Sequence, residues 1–144
     1  MVQEYHFGGL LSSIQHSMNR HFNRRLEELG LTVAQLTVLH FIVDSHGGEI
    51  NQRDIERGFQ LSNPTVTGIL QRLEAKNFIE RKPSKSDLRS KMISPTDEAM
   101  KLAKQMKENM KLMEDNLTKG FTADEKYQLW KLLEKLSGNL MSAK

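Results

Sequence analysis

The sequence predicts a mainly α-helical chain with one small β-hairpin. Three observations predict it. Apolar residues recur at steps of three and four over most of the 144 residues. Capping residues and glycines punctuate those stripes. The helical period lapses only near residues 78–94, where two short strand-like runs flank a polar loop.

The first stripe is Phe7, Leu11, Ile14, Met18, Phe22, Leu26 and Leu29, one face of a helix that Gly30 stops. Thr32 with Gln35 forms a capping box for a second helix carrying Leu36, Leu39, Ile42 and Val43, ended by Gly47-Gly48. Asn51 caps a short third helix with Asp54 in its first turn and Ile55 and Phe59 facing inward. Leu61-Ser62-Asn63-Pro64 is a break and a restart. Ser62 or Asn63 caps, and Pro64 sits where its missing N–H costs nothing. The fourth helix buries Val66, Ile69, Leu70 and Leu73.

Residues 78–82 and 90–94 read as the strands of the hairpin, with Pro83 and Pro95 near their ends, where a lost ladder donor is tolerated. Thr96 caps a long helix whose stripe, Ala99, Ala103, Met106, Met110, Met113 and Leu117, has coiled-coil-like spacing. Gly120 ends it. Thr122 with Glu125 opens the last helix, carrying Leu129, Leu133, Leu136 and Leu140, widened by Trp130 and Leu132. The order is that of a winged helix-turn-helix between flanking amphipathic helices. Expected boundaries are 32–95 for the winged domain, and 1–31 with 96–144 for the helical remainder.

Composition excludes several classes. At 38% hydrophobic and 27% charged the chain suits a packed soluble domain. No apolar run approaches the ~18 residues of a membrane span. The first residues lack the basic patch and apolar stretch of a secretory signal, so a cytoplasmic location and no membrane partner are expected. Without cysteine there are no disulfides and no thiolate metal sites.

Charge is concentrated. Residues 72–91 hold seven basic and three acidic side chains, +4 in all. The remainder holds 14 basic and 15 acidic, so one short segment exceeds the whole net charge of +3. Such a stripe is the footprint of a polyanion-binding surface. A solvated lysine-rich surface is the plain alternative, and the neighbouring helix weighs against it. Its outer face carries Thr65, Thr67, Gly68, Gln71, Arg72 and Lys76, small or hydrogen-bonding first and basic last. A rod of about 13 residues is ~20 Å long and fits a major groove ~12 Å wide. Thr can touch a thymine methyl, Gln71 or Arg72 can bond purine edges, and the helix start at Ser62, Asn63 and Pro64 can face a phosphate. On the loop, Lys85, Asp87, Arg89, Ser90 and Lys91 form a protruding basic tip. Arginine is the side chain that most often enters a narrow minor groove. Asp87 is expected to hold the Arg89 guanidinium by a bidentate pair.

Leu61-Ser62-Asn63-Pro64-Thr65-Val66-Thr67, Leu73-Glu74, Phe78-Ile79-Glu80-Arg81 and Asp87-Leu88-Arg89-Ser90-Lys91 together resemble the MarR (multiple-antibiotic-resistance regulator) family. The resemblance implies a homodimeric transcription regulator on double-stranded DNA with a pseudo-palindromic operator. The flanking helices would dimerise, residues 63–76 would read the major groove, and Arg89 would enter the minor groove. It also implies a repressor released by a small aromatic or phenolic anion held between the dimer helices and the winged domain, where Arg20, His21, Arg24 and His40 are the candidate cations. Two positions depart from the family pattern. Pro95-Thr96-Asp97-Glu98-Ala99 stands for the usual Leu-Thr-x-x-Gly, and Asn77 replaces a glycine. Both are cap changes that bear on the angle of the wing.

No enzyme is expected: there is no G-x-S-x-G elbow, no Walker phosphate loop and no H-E-x-x-H. No cofactor and no metal are expected either. His6, His16, His21, His40 and His46 include no i, i+4 pair. The alternative function is a protein–protein interaction module without DNA binding, for which an apolar wing would be the better sign.

Overall fold

The computed structural model describes residues 5–45 and 49–142. Within them the order is α1 (Phe7–Leu29), α2 (Val33–Asp44), α3 (Gln52–Phe59), α4 (Asn63–Ala75), β1 (Ile79–Pro83), β2 (Lys91–Pro95), α5 (Asp97–Leu117) and α6 (Ala123–Ser142). The mainly α class with a small hairpin follows directly. Gly47-Gly48 and His46 lie outside the described residues.

Local chemistry sets the boundaries. Gly30 ends α1 in the left-handed conformation, at φ 61°. Thr32 and Gln35 complete a reciprocal capping box, and α2 leaves α1 at 80°. Asn51 and Asp54 do the same for α3. Gln60 ends α3 at φ 53°, a left-handed position held without glycine. Asn77 is the other such residue among those described, at φ 60°. Its N–H reaches Glu74 O at 2.9 Å, and that of Phe78 reaches Leu73 O at 2.9 Å. Phe78 is therefore still consumed by the end of α4. That is why β1 begins one residue later than the apolar pattern suggests; β2 does so because Ser90 is held in the turn, its N–H on Asp87 O at 3.0 Å.

The hairpin is antiparallel, in register Ile79↔Pro95 through Pro83↔Lys91, so both prolines fall at strand ends. Ile50 adds one bridge to Ile93, whose N–H donates to Ile50 O at 2.8 Å.

The chain forms two compact units, Met1–Ala103 and Lys104–Lys144. In the first, α2, α3, α4 and the hairpin pack together. Val38, Leu39, Ile42, Ile55, Val66, Leu70 and Leu73 are the largest of its fully buried side chains among the described residues. All four apolar positions expected of α4 are buried. On α2 the burial shifts to include Val38, while Val43 is half-buried. Phe59 is half-buried and meets Phe41 edge-on at 5.3 Å.

The flanking stripes behave differently. On α1 only Leu26 is buried, and Phe7 is 63% exposed. On α5 only Ala99 and Leu102, both in the first unit, are buried. In the second unit Met110 is exposed, α6 buries no residue, and Trp130 is 64% exposed. No single described helix is long and apolar enough to cross a membrane.

Candidate nucleic-acid interface

Helix α4 is the centre of the site. Its 13 residues turn Val66, Ile69, Leu70 and Leu73 into the core. That leaves Ser62, Asn63, Pro64, Thr65, Gly68, Gln71 and Arg72 exposed, with Thr67 and Lys76 half-buried. Pro64 lies in the first turn. Ser62 is the N-cap residue, but its hydroxyl meets the Thr65 hydroxyl at 2.8 Å and caps no backbone N–H. At the other end the Lys76 ammonium lies beside the C-terminus of α1. A Cβ built on Gly30 would come within 2.6 Å of Lys76 Nζ.

The start of α4 is held from α3. Glu56 Oε1 accepts from Asn63 Nδ2 at 2.7 Å and from Gln52 Nε2 at 3.1 Å. The same Gln52 amide donates to Thr67 Oγ1 at 2.8 Å. Sequence reading missed both Gln52 and Glu56. Their one signal was the i, i+4 spacing that places them on one face of α3.

The wing is tied to α4 and then built outward. Arg81 Nε on β1 lies 3.4 Å from Glu74 Oε2 on α4, an ion pair without hydrogen-bond geometry. Ser84 is only 2% exposed. Its Oγ accepts the Ser86 N–H at 3.2 Å and meets the Ser86 hydroxyl at 2.9 Å. Its N–H donates to Ser90 O at 2.8 Å, closing the base of the loop. Asp87 differs from expectation: its Oδ1 accepts the backbone N–H of Arg89 at 2.9 Å, and no ion pair joins it to the guanidinium. Across so tight a turn the nearest donor is the main chain two residues on, which makes an Asx-turn. The Ser90 N–H donates to Asp87 O at 3.0 Å and completes it.

Lys85, Asp87, Arg89 and Lys91 are exposed, and Ser90 is half-buried. Among the described residues Arg72, Lys85, Arg89 and Lys91 enter no ion pair. Their charge faces solvent uncancelled. Lys82 is instead paired to Glu80 at 2.9 Å. The Glu80 hydrogen bond, then its charge, raises the Lys82 pKa above the ordinary 10.5.

The candidate effector-binding residues are not gathered by any described contact. Arg20, His21 and Arg24 are exposed on α1, and His40 is half-buried on α2. A crevice of about 360 Å³ lies elsewhere, between the end of α2 and the hairpin, lined by Ile42, Lys82, Lys85, Met92 and Ile93 among others. Among the described residues no three His, Asp or Glu side chains form a group able to hold a metal.

A helix with a small, hydroxyl-bearing outer face, braced by the preceding helix and flanked by a cationic hairpin, defines the winged helix-turn-helix class of transcription regulators. Comparison with known proteins narrows the class. The MarR family model matches residues 29–90. The S. aureus MepR–DNA complex superposes with a TM-score of 0.87 at 28% identity, over 93% of this chain and 99% of that one. A putative MarR family transcriptional regulator from Clostridium acetobutylicum gives 0.80 at 29% identity, over 92% and 97%. The transcription regulator MarR from Oenococcus oeni PSU-1 gives 0.58 at 30% identity, over 91% and 98%. The chain belongs to the MarR family.

Proposed function

We propose that the chain acts as a homodimer, binds a pseudo-palindromic duplex sequence-specifically, and represses transcription until a small aromatic or phenolic anion releases it. The observation that carries the DNA reading is the run of uncancelled cations on the wing, Lys85, Arg89 and Lys91, beside the polar face of α4. An apolar wing would favour a protein partner instead, and these residues argue against it. The S. aureus MepR structure, itself a DNA complex, supports DNA as the partner; the docking that fits this chain's own residues is α4 in the major groove and Arg89 in the adjoining minor groove.

Dimerisation is supported by the faces left uncovered. Phe7 and Ile14 on α1, and Leu129, Trp130 and Leu133 on α6, are exposed large apolar side chains of amphipathic helices. Pairing through them gives two reading heads, with half-sites one helical turn apart. Residues 1–31 and 96–144 then serve dimerisation and 32–95 serve DNA binding, in the cytoplasm. Release is assigned to Arg20, His21, Arg24 and His40, whose N–H donors suit a carboxylate or phenolate. Such a ligand acts by favouring one spacing of the heads over another.

Selection of bound duplexes from a random pool, followed by a salt titration, tests the reading. With ~4 phosphates neutralised per subunit, log K falls against log salt with a slope of about −7 for the dimer. No enriched sequence, or an affinity indifferent to salt, overturns it. Salicylate-like anions are expected to lower the affinity; no change removes that ligand class.

A further inference from the structure

We propose that Glu56 and Gln52 on α3 are positioning residues that fix the hydrogen-bonding polarity of Asn63 and Thr67, and so set part of the base preference from outside the reading helix. This rests on the DNA-binding reading above.

The chemistry follows from the donor inventory. A carboxylate only accepts. Asn63 Nδ2 and Gln52 Nε2 both meet Glu56 Oε1, at 2.7 and 3.1 Å. Glu56 therefore dictates which way each amide points. With its nitrogen on Glu56, Asn63 presents Oδ1 away from α3 as an acceptor, and Asn63 is exposed. With its nitrogen on Glu56 as well, Gln52 can only donate to Thr67 Oγ1, at 2.8 Å. The Thr67 hydroxyl is thereby cast as the acceptor toward Gln52, and its own proton is left to donate elsewhere. A second contact, Gln52 Nε2 to the Asn63 carbonyl at 3.4 Å, ties the same amide to the first residue of α4.

One carboxylate thus orders an acceptor at exposed Asn63 and a hydroxyl proton not used toward α3 at half-buried Thr67, four residues apart and one turn along the helix. In a major groove an outward acceptor selects adenine N6 or cytosine N4. A hydroxyl donor selects a purine N7, guanine O6 or thymine O4. Without Glu56 either amide can turn over, and the edge that α4 presents loses its single polarity.

The test uses the full chain and the duplex consensus selected by the wild type. Glu56→Ala is expected to flatten the preference at the bases facing Asn63 and Thr67, from on the order of tenfold to near onefold. The salt slope and the preferences elsewhere stay unchanged. Glu56→Gln can present either an oxygen or an NH2 to the two amides, so it is expected to blunt the same two preferences, by less than Glu56→Ala does. Gln52→Met removes the donor to Thr67 together with the contacts to Glu56 Oε1 and the Asn63 carbonyl, but leaves Asn63 Nδ2 its own bond to Glu56, so flattening is expected chiefly at the Thr67 position. It also serves as the second probe should Glu56→Ala fail to fold. Unchanged discrimination in both Glu56→Ala and Gln52→Met overturns the proposal while leaving DNA binding intact. If the wild type selects no consensus, the DNA-binding reading fails and this proposal falls with it.

Discussion

At the scale of single residues, the wing separates two jobs that the sequence spacing had merged. Asp87 orders the turn through the Arg89 backbone N–H, leaving the guanidinium free for a polyanion. Arg89→Ala is accordingly expected to lower affinity for the preferred duplex by on the order of tenfold while moving the melting temperature little, as read by titration and thermal unfolding in parallel. Unchanged binding removes the wing from the mechanism. Asp87→Asn keeps the accepting oxygen and is expected to bind like the wild type, whereas a guanidinium clamp would need the charge. Loss of binding in Asp87→Asn would restore the clamp. Lys82 makes a third case. Its pKa is raised by Glu80, so the pair's small stabilisation is complete below the ordinary lysine value and is lost only as pH rises through the raised one. No change in stability traceable to this pair is expected between pH 6 and 9 in a denaturation series; Lys82→Met would expose any.

At the scale of elements, the sequence was most readable where one residue settles one boundary. The Thr32–Gln35 box, the Asn51–Asp54 start and the Gly30 stop all stand where spacing put them. The buried quartet of α4 did too, because a helix against a core has one period. Reading failed where two elements share a group. Nothing in residues 52–56 announces that their side chains hold Asn63 and Thr67, since that contact depends on how α3 crosses α4. Likewise β1 starts late because Asn77 lets Phe78 close the helix before it. Gln60, left-handed at φ 53° without being glycine, carries strain that Gln60→Gly is expected to relieve. Stability should rise by about 0.5–1 kcal/mol in denaturant unfolding; a loss would mean that the Gln60 side chain contributes more than the strain costs. Thr96→Val removes a hydroxyl that donates to Asn77 O at 2.7 Å and accepts the Ala99 N–H at 3.2 Å. With both partners left unmet the cost is about 1–3 kcal/mol.

At the scale of the whole molecule, amphipathic faces were legible but their occupant was not. Periodicity states that a stripe wants cover, never whether the cover comes from the same chain. The stripes of α1 and α6 remain largely open, and their exposure favours a second copy. Leu129→Glu with Leu133→Glu, four residues apart on α6, is expected to shift sedimentation equilibrium toward the monomer. It should also make the unfolding midpoint less dependent on protein concentration. A monomeric wild type at tens of micromolar would contradict the dimer.

The Thr96 hydroxyl has a mechanical corollary. Since it grips the carbonyl just past the end of α4 with its proton and the opening turn of α5 with its lone pair, those two rods share a pin. Loss of that one hydroxyl should therefore be felt at both ends of the link: Thr96→Val is expected to speed amide exchange at the exit of α4 and in the first turn of α5 together.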